Sequence, residues 1–221
     1  MTFEDLGEGS QLADATINAL YEAEARQANQ YFGEKYIDLR DEFVTEKPIE
    51  INEKVSNVFV MFGGTDPSNL TERIYRLAQN TVQKTDITFT FVAGISYDCE
   101  AHGILPAKGI EVYKEVKRLT TLMRKADLAF TSQGRTVFEL ASLGVPSIVL
   151  AQNQREQLHT FAQMQNGFLN LGLGNEVQDE TIEKTFEWLC SAYEIRKNMS
   201  NLMQNHDLKL GIERIKSIIL G

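Results

Sequence analysis

The chain has 221 residues, 43% hydrophobic and 24% charged, with a formal net charge of −9. That size and balance suit one large globular domain or one and a half smaller ones. The acidity and the lack of any Lys/Arg cluster speak against a nucleic-acid surface, and no apolar run reaches the roughly 20 residues that cross a bilayer.

Residues 1–44 read as fragments. Phe3–Gly7 is a short strand or turn, Ala13–Tyr21 a strand ending in Asn18–Tyr21, Glu22–Gln30 a polar connection, and Tyr36–Arg40 another strand-like piece. These cannot enclose a core. They are expected to add to the edge of the next domain, to pair with a second copy as a homodimer, or to be the tail of a domain whose beginning is absent. The start, Met1–Asp5, is acidic and has no apolar centre, unlike a signal peptide. Residues 46–55 read as a linker, and 56–221 as a folding unit of alternating strands and helices.

Within that unit Asn57–Phe62 is an apolar strand that runs into Gly63-Gly64-Thr65-Asp66-Pro67. A helix is expected from about Ser68 to Val82, with Asp66 as its cap and Pro67 in its first turn. Ile87–Ala93 is the next strand, Ile95–Gly109 a loop, and Ile110–Tyr113 an edge strand. Val116, Leu119, Leu122 and Met123 form a helix face reaching Lys125.

Leu128–Phe130 is a short apolar run with no helical period, as in a buried parallel strand. Thr131–Gly134 is a turn whose Ser or Thr can cap the following helix. That helix runs from Thr136 to Leu143, is ended by Gly144 and cannot pass Pro146. Ser147–Leu150 is a second buried strand, and Gln152–Gln157 a polar loop leading into a helix. Gly167–Gly172 is the last strand, followed by helices over about 179–192, 194–205 and 210–220. The pattern predicts an α/β fold: a doubly wound, mostly parallel, Rossmann-like sheet with a partial amino-terminal domain. Its polar turns share the carboxyl edge, where open α/β sheets bind ligands.

Three places can carry chemistry. Gly63, Gly64, Thr65 and Asp66 follow a buried strand. There a phosphate can approach the main chain and meet a helix amino terminus, although the same letters make any strand-to-helix turn. Ser132, Gln133, Gly134 and Arg135 form a second such turn, suited to a diphosphate. Glu139 on the next helix can accept the two hydroxyls of a ribose, or simply be a solvated helix residue. Gln152–Gln157, with Asn153, Gln154 and Gln157, is rich in amides that suit sugar hydroxyls. Arg155 suits a phosphate or carboxylate, and His159 is either a proton-transfer group or a structural or sugar-binding residue. The alternative is a solvated, capped loop. No nucleophile elbow, P-loop or zinc signature is present, so no metal or cofactor is expected. Cys99 and Cys190 have no metal spacing and are expected to be reduced in a cytoplasmic protein.

Taken together, these residues resemble the nucleotide-sugar hydrolase of pseudaminic acid biosynthesis and the related spore-coat polysaccharide proteins. Both are similar to the lipid II N-acetylglucosaminyltransferase, with its two-domain GT-B fold. Phe62–Pro67 looks like the start of the family's carboxyl-terminal domain. Ser132–Glu139, including Thr136, and Gln152–His159 look like its donor-nucleotide motifs. Phe3–Gly7, Ile17–Tyr21 and Tyr36–Arg40 look like the tail of its amino-terminal domain. The resemblance implies a UDP-type nucleotide sugar as partner. Gly64, Thr65 and Ser132–Arg135 would lie near the phosphates and Glu139 on the ribose. Gln154, Gln157 and His159 would lie toward the sugar, and the base against the main chain of 107–112. It implies attack of water on, or transfer from, the anomeric carbon. The family's catalytic histidine belongs to a glycine-rich segment missing here, so little turnover is expected of this chain alone. A non-catalytic interaction or dimerisation domain is the alternative.

Overall fold

The structure, a computed structural model, describes residues 1–25 and 27–220. Residue 26 of the expected polar connection and residue 221 lie outside the described residues. Two parallel sheets carry the fold. The larger contains β4 (Asn57–Met61), β5 (Thr88–Ala93), β6 (Ile110–Lys114), β7 (Leu128–Thr131), β8 (Ser147–Ala151) and β9 (Phe168–Leu173). Their order is β6-β5-β4-β7-β8-β9, and every ladder between them is parallel. The chain enters at β4, winds outward to β6, returns to β7 and winds the other way. The switch point of this doubly wound sheet lies between β4 and β7, the place where such sheets form a crevice at their carboxyl ends.

The central strands bury both faces. Val58 and Val60 of β4, Leu128 and Phe130 of β7, and Ile148 and Leu150 of β8 point into one core. There they meet Ile74 and Ala78 of α2 (Leu70–Val82) and Ile182 and Phe186 of α5 (Asp179–Ser191). The alternate residues Phe59, Ala129 and Val149 enter a second core. It is filled by Met123 of α3 (Thr120–Met123) and by Val137, Leu140 and Ala141 of α4 (Thr136–Leu143). Two-sided burial is why these strands read as continuous apolar runs. Each such side chain contributes about 1.5–3 kcal/mol.

The amino-terminal segment forms its own parallel sheet, β1 (Thr2–Phe3), β2 (Thr16–Asn18) and β3 (Gln30–Phe32), in sequence order. It does not extend the edge of the large sheet. Instead Ala19, Leu20, Tyr21, Ile37, Leu39 and Phe43, the last from α1 (Asp41–Val44), join the second core. The carboxyl terminus returns to it. After α6 (Tyr193–Gln204), α7 (Gly211–Leu220) packs its first residue against the backbone of Ile37. Arg214 donates to the Lys35 carbonyl at 3.1 Å.

The stretch 46–55 is tied at its end. The Asp127 carboxylate accepts from the Asn52 side chain and from the Ser56 and Asn57 amides at 2.7–2.9 Å. Arg196, fully buried, donates at 2.8 Å to the carbonyls of Asn52, Glu53, Leu189 and Cys190. One side chain thus joins this stretch to the end of α5.

Several local expectations are corrected. Tyr36–Arg40 is not a strand: a 3-10 turn at Glu34–Tyr36 leads into extended chain outside any ladder. Its alternation is nevertheless real, since Ile37 and Leu39 are buried. The strand expected from Ala13 shrinks to Thr16–Asn18, and β3 begins at Gln30, the last residue assigned to the polar connection. α2 begins at Leu70, not Ser68. Pro67 lies in the preceding turn, and Asp66 caps the helix from outside through the Leu70 and Thr71 amides at 3.0 and 2.7 Å. The helix expected up to Lys125 is only Thr120–Met123, started by the Glu42 carboxylate on the Leu119 and Thr120 amides. The helix expected directly after the Gln152–Gln157 loop does not form. Short 3-10 turns occur at Glu156–Leu158 and Met164–Asn166, because Thr160 donates its amide to Leu20 instead of to its own turn.

Candidate functional site: the crevice between two helix starts

The carboxyl ends of β4 and β7 lie side by side, with Met61 in register with Thr131. The turns that follow therefore meet. A Cβ built on Gly63 would stand 3.8 Å from the Ser132 hydroxyl, while one on Gly64 would face open space. Gly63 has a φ of 78°, a conformation open to glycine at little cost. The turn is held from behind by Gly94, at the end of β5, where any side chain would overlap the carbonyls of Gly63 and Gly64. Sequence reading missed Gly94, although a glycine directly after an apolar strand was the signal.

The first turn separates its residues by role. Gly64 and Thr65 are exposed, whereas Asp66 is 3% exposed and spent on capping α2. In the second turn neither Ser132 nor Thr131 caps α4. The cap position is Arg135, with no side-chain hydrogen bond. The Glu156 carboxylate instead accepts from the Gln152 amide at 2.8 Å, with the Ser132 hydroxyl and the Gln133 amide near enough to favour its charge. Burial raises the Glu156 pKa and these donors oppose the rise. Among the described residues the buried Thr131 hydroxyl, at the end of β7, has no hydrogen-bond partner. Gly134 lies between Ser132 and Glu156, and Thr136 is buried at the start of α4.

Arg135 and Glu139, one turn apart on α4, both meet the amino-terminal segment. Arg135 pairs with Asp38 and lies 3.9 Å from Glu4. Glu139 accepts from Arg40 Nε at 2.8 Å, and Arg40 Nη2 lies 2.8 Å from the same oxygen. Burial pushes the Glu139 pKa up and the Arg40 charge pulls it back. Sequence reading gave no role to Glu156 within the Gln152–Gln157 loop and named none of Glu4, Asp38 and Arg40 as site residues; Arg40 and Glu139, 99 positions apart, leave no local signal.

In the third element His159 is 9% exposed and lies edge-on to Tyr21. Its Nδ1 donates to the Gln133 carbonyl at 2.6 Å, and the Gln133 side chain donates back to the His159 carbonyl. Burial lowers its pKa, so the ring is held neutral. Asn153 caps the following 3-10 turn through the Glu156 amide at 3.0 Å, while Gln154, Arg155 and Gln157 are exposed. Gln152 is structural: it binds the Phe62 carbonyl at 2.7 Å and the Ser68 amide at 3.3 Å. The crevice thus gathers Gly63, Gly64, Ser132, Gly134 and Arg135, with Glu139 on the same helix and His159 beyond. The stretch 107–112, expected beside the base, leads instead into the amino end of β6, at the opposite edge of the sheet. The carboxyl end of that strand is Lys114, followed by Glu115 with a φ of 52°.

This architecture is that of the GT-B glycosyltransferases. The glycotransferase of kitacinnamycin superposes with a TM-score of 0.64 at 16% identity, covering 94% of this chain and 54% of that one. MurG of Acinetobacter baumannii gives 0.62 at 14%, covering 96% and 60%. The pneumococcal O-GlcNAc transferase GtfA, solved with UDP and GlcNAc, gives 0.54 at 12%, covering 95% and 45%. In sequence the chain is similar to the spore coat polysaccharide biosynthesis protein SpsG of Bacillus subtilis, 30% identical over 211 residues, 89% of this chain and 61% of that protein. An uncharacterized protein of Methanocaldococcus jannaschii is 32% identical over 164 residues, 66% of this chain and 34% of that protein. The pseudaminic acid cytidylyltransferase and UDP-2,4-diacetamido-2,4,6-trideoxy-beta-L-altropyranose hydrolase of Helicobacter pylori is 25% identical over 197 residues, 86% and 34%. The chain therefore spans between a third and six tenths of these relatives. No family model matches it. The resemblance to the spore-coat and pseudaminic-acid proteins, and through them to MurG-like GT-B folds, is borne out. No helix among the described residues is long and apolar enough to cross a membrane.

Proposed function

We propose that the chain binds the nucleotide diphosphate of a UDP-type nucleotide sugar in the crevice between the Gly63–Asp66 and Ser132–Thr136 turns. One observation carries this reading: two glycine-bearing turns, each opening a helix, converge at the switch point of a doubly wound sheet. The start of α4, which has no side-chain cap, presents free amides and a positive dipole end to a phosphate, while the first turn offers the exposed main chain of Gly64 and Thr65. Gly63, Gly64, Thr65 and Ser132–Thr136 are assigned to the diphosphate, Glu139 to the ribose, and Asn153, Gln154, Gln157 and His159 to the sugar side, with Asp66 holding the first turn in place. The base is assigned to the chain leaving β6 at Glu115. GtfA was solved with UDP and GlcNAc, which supports this ligand class.

We assign residues 1–45 to a remnant of a GT-B amino-terminal domain, 46–55 to a linker and 56–221 to the nucleotide-sugar domain. The parent reaction is hydrolysis or transfer of the sugar in surface-polysaccharide or nonulosonic-acid synthesis, its catalytic half lying outside these residues. Two unpaired cysteines fit the cytoplasm. Titration calorimetry with UDP and UDP-N-acetylhexosamines tests the reading. Heat of binding that disappears in Glu139→Ala is expected, and no heat from the unaltered protein overturns it.

A second reading, a binding-incompetent interaction domain, is favoured by one observation: the Glu156 carboxylate lies beside the Ser132 and Gly134 turn that a diphosphate would need. It predicts no UDP binding and self-association through the amino-terminal segment.

A further inference from the structure

Asp38 and Arg40 lie two residues apart on extended chain, and Arg135 and Glu139 four apart at the start of α4. Two extended residues span about 6.6 Å and four helical residues about 6 Å, so the two charge pairs match in register. The guanidinium of Arg40 is fixed on three sides. Its carbon stands 5.2 Å from the centre of the buried Phe43 ring. Nη1 lies 3.4 Å from Glu42, and Nε with Nη2 forks onto a single oxygen of Glu139, Oε1. Among the described residues the other oxygen, Oε2, has no hydrogen-bond partner.

We propose that Arg40, supplied by the amino-terminal segment, is a positioning residue that holds the Glu139 carboxylate in place to accept the hydroxyls of a ribose. This rests on the nucleotide reading above and adds to it that residues 1–45 complete the binding site instead of merely covering it. A ribose diol donates two hydrogen bonds, and the ionised acid, which only accepts, suits it best. The Glu139 side chain is only 14% exposed, and burial favours the neutral acid. The charged groups facing it are Arg40, Glu42 and Arg135. Asp38 and Glu4 neutralise Arg135, and Glu42 is itself negative. Arg40 is therefore the cation that keeps Glu139 charged and aimed.

The test is calorimetry of the full chain with UDP and with its dideoxyribose analogue, across the carboxylate pH range. Arg40→Gln is expected to weaken UDP binding about tenfold while leaving the dideoxy analogue unchanged. The loss should deepen as pH falls, because Glu139 protonates earlier without its partner. Arg40→Lys, which keeps the charge but not the fork, should restore most of the pH profile; should Arg40→Gln not fold, it carries the comparison, keeping that profile while still binding UDP less tightly than the unaltered protein. Equal or tighter UDP binding by Arg40→Gln would mean that Arg40 competes with the ligand, and would overturn the inference alone. So would an equal loss for both ligands. Absence of UDP binding by the unaltered protein removes the nucleotide reading, and this inference with it.

Discussion

Gly211 and Ile37 meet backbone to backbone: a methyl group at position 211 would overlap the Ile37 carbonyl. The last helix is thereby seated on the segment that carries Asp38 and Arg40. Gly211→Ala should lower stability by about 2 kcal/mol and loosen residues 1–45. Limited proteolysis is expected to cut that segment first, ahead of global unfolding by circular dichroism. Unchanged protease resistance would show that α7 does not hold it.

Gly94 supports the first glycine turn from behind. Gly94→Ala should push the carbonyls of Gly63 and Gly64 into the crevice, and UDP affinity should fall more steeply than thermal stability. Ser96, which donates to the Gly64 carbonyl at 3.2 Å, gives the contrast, since Ser96→Ala keeps that amide and should bind normally.

Arg196 satisfies four carbonyls at once. Arg196→Met should cost about 3 kcal/mol or more, because buried acceptors lose their donors. Arg196→Lys should recover only part of this, an ammonium lacking the planar fork. Chemical denaturation measures both, and equal midpoints for all three proteins would refute the account.

Burial holds the pKa of His159 below its ordinary value of 6.5. The unfolded chain therefore takes up a proton first as pH falls through that value. The folded state loses stability over the interval between 6.5 and the lower folded pKa. Replacing His159 with Gln should flatten the acid limb of the melting temperature against pH. If His159 were a charged catalytic group, the limb would slope the other way.

The sequence disclosed what local physics controls. The carboxyl end of helix α4 was legible because Gly144 takes the left-handed conformation, with a φ of 72°, that stops it. The β7 and β8 strands were legible because burial on both faces makes them uniformly apolar. The two glycine-bearing turns were legible as glycines after strands, and their convergence followed from the doubly wound order. What escaped was set by distant partners. The short Gln30–Phe32 strand is made by its ladder to Thr16–Asn18. The expected helix after Gln157 gives way because its backbone and side chains are engaged by Leu20 and Gln133. Arg40 looked like the end of a strand because nothing near it in sequence reveals Glu139.

The Glu156 carboxylate already engages the amide of Gln152 at 2.8 Å. In hydrogen–deuterium exchange this amide should therefore be slow before any ligand is added. Exchange mapping would miss occupancy there, and the informative reporters are the exposed Gly64 and Thr65 on the facing turn.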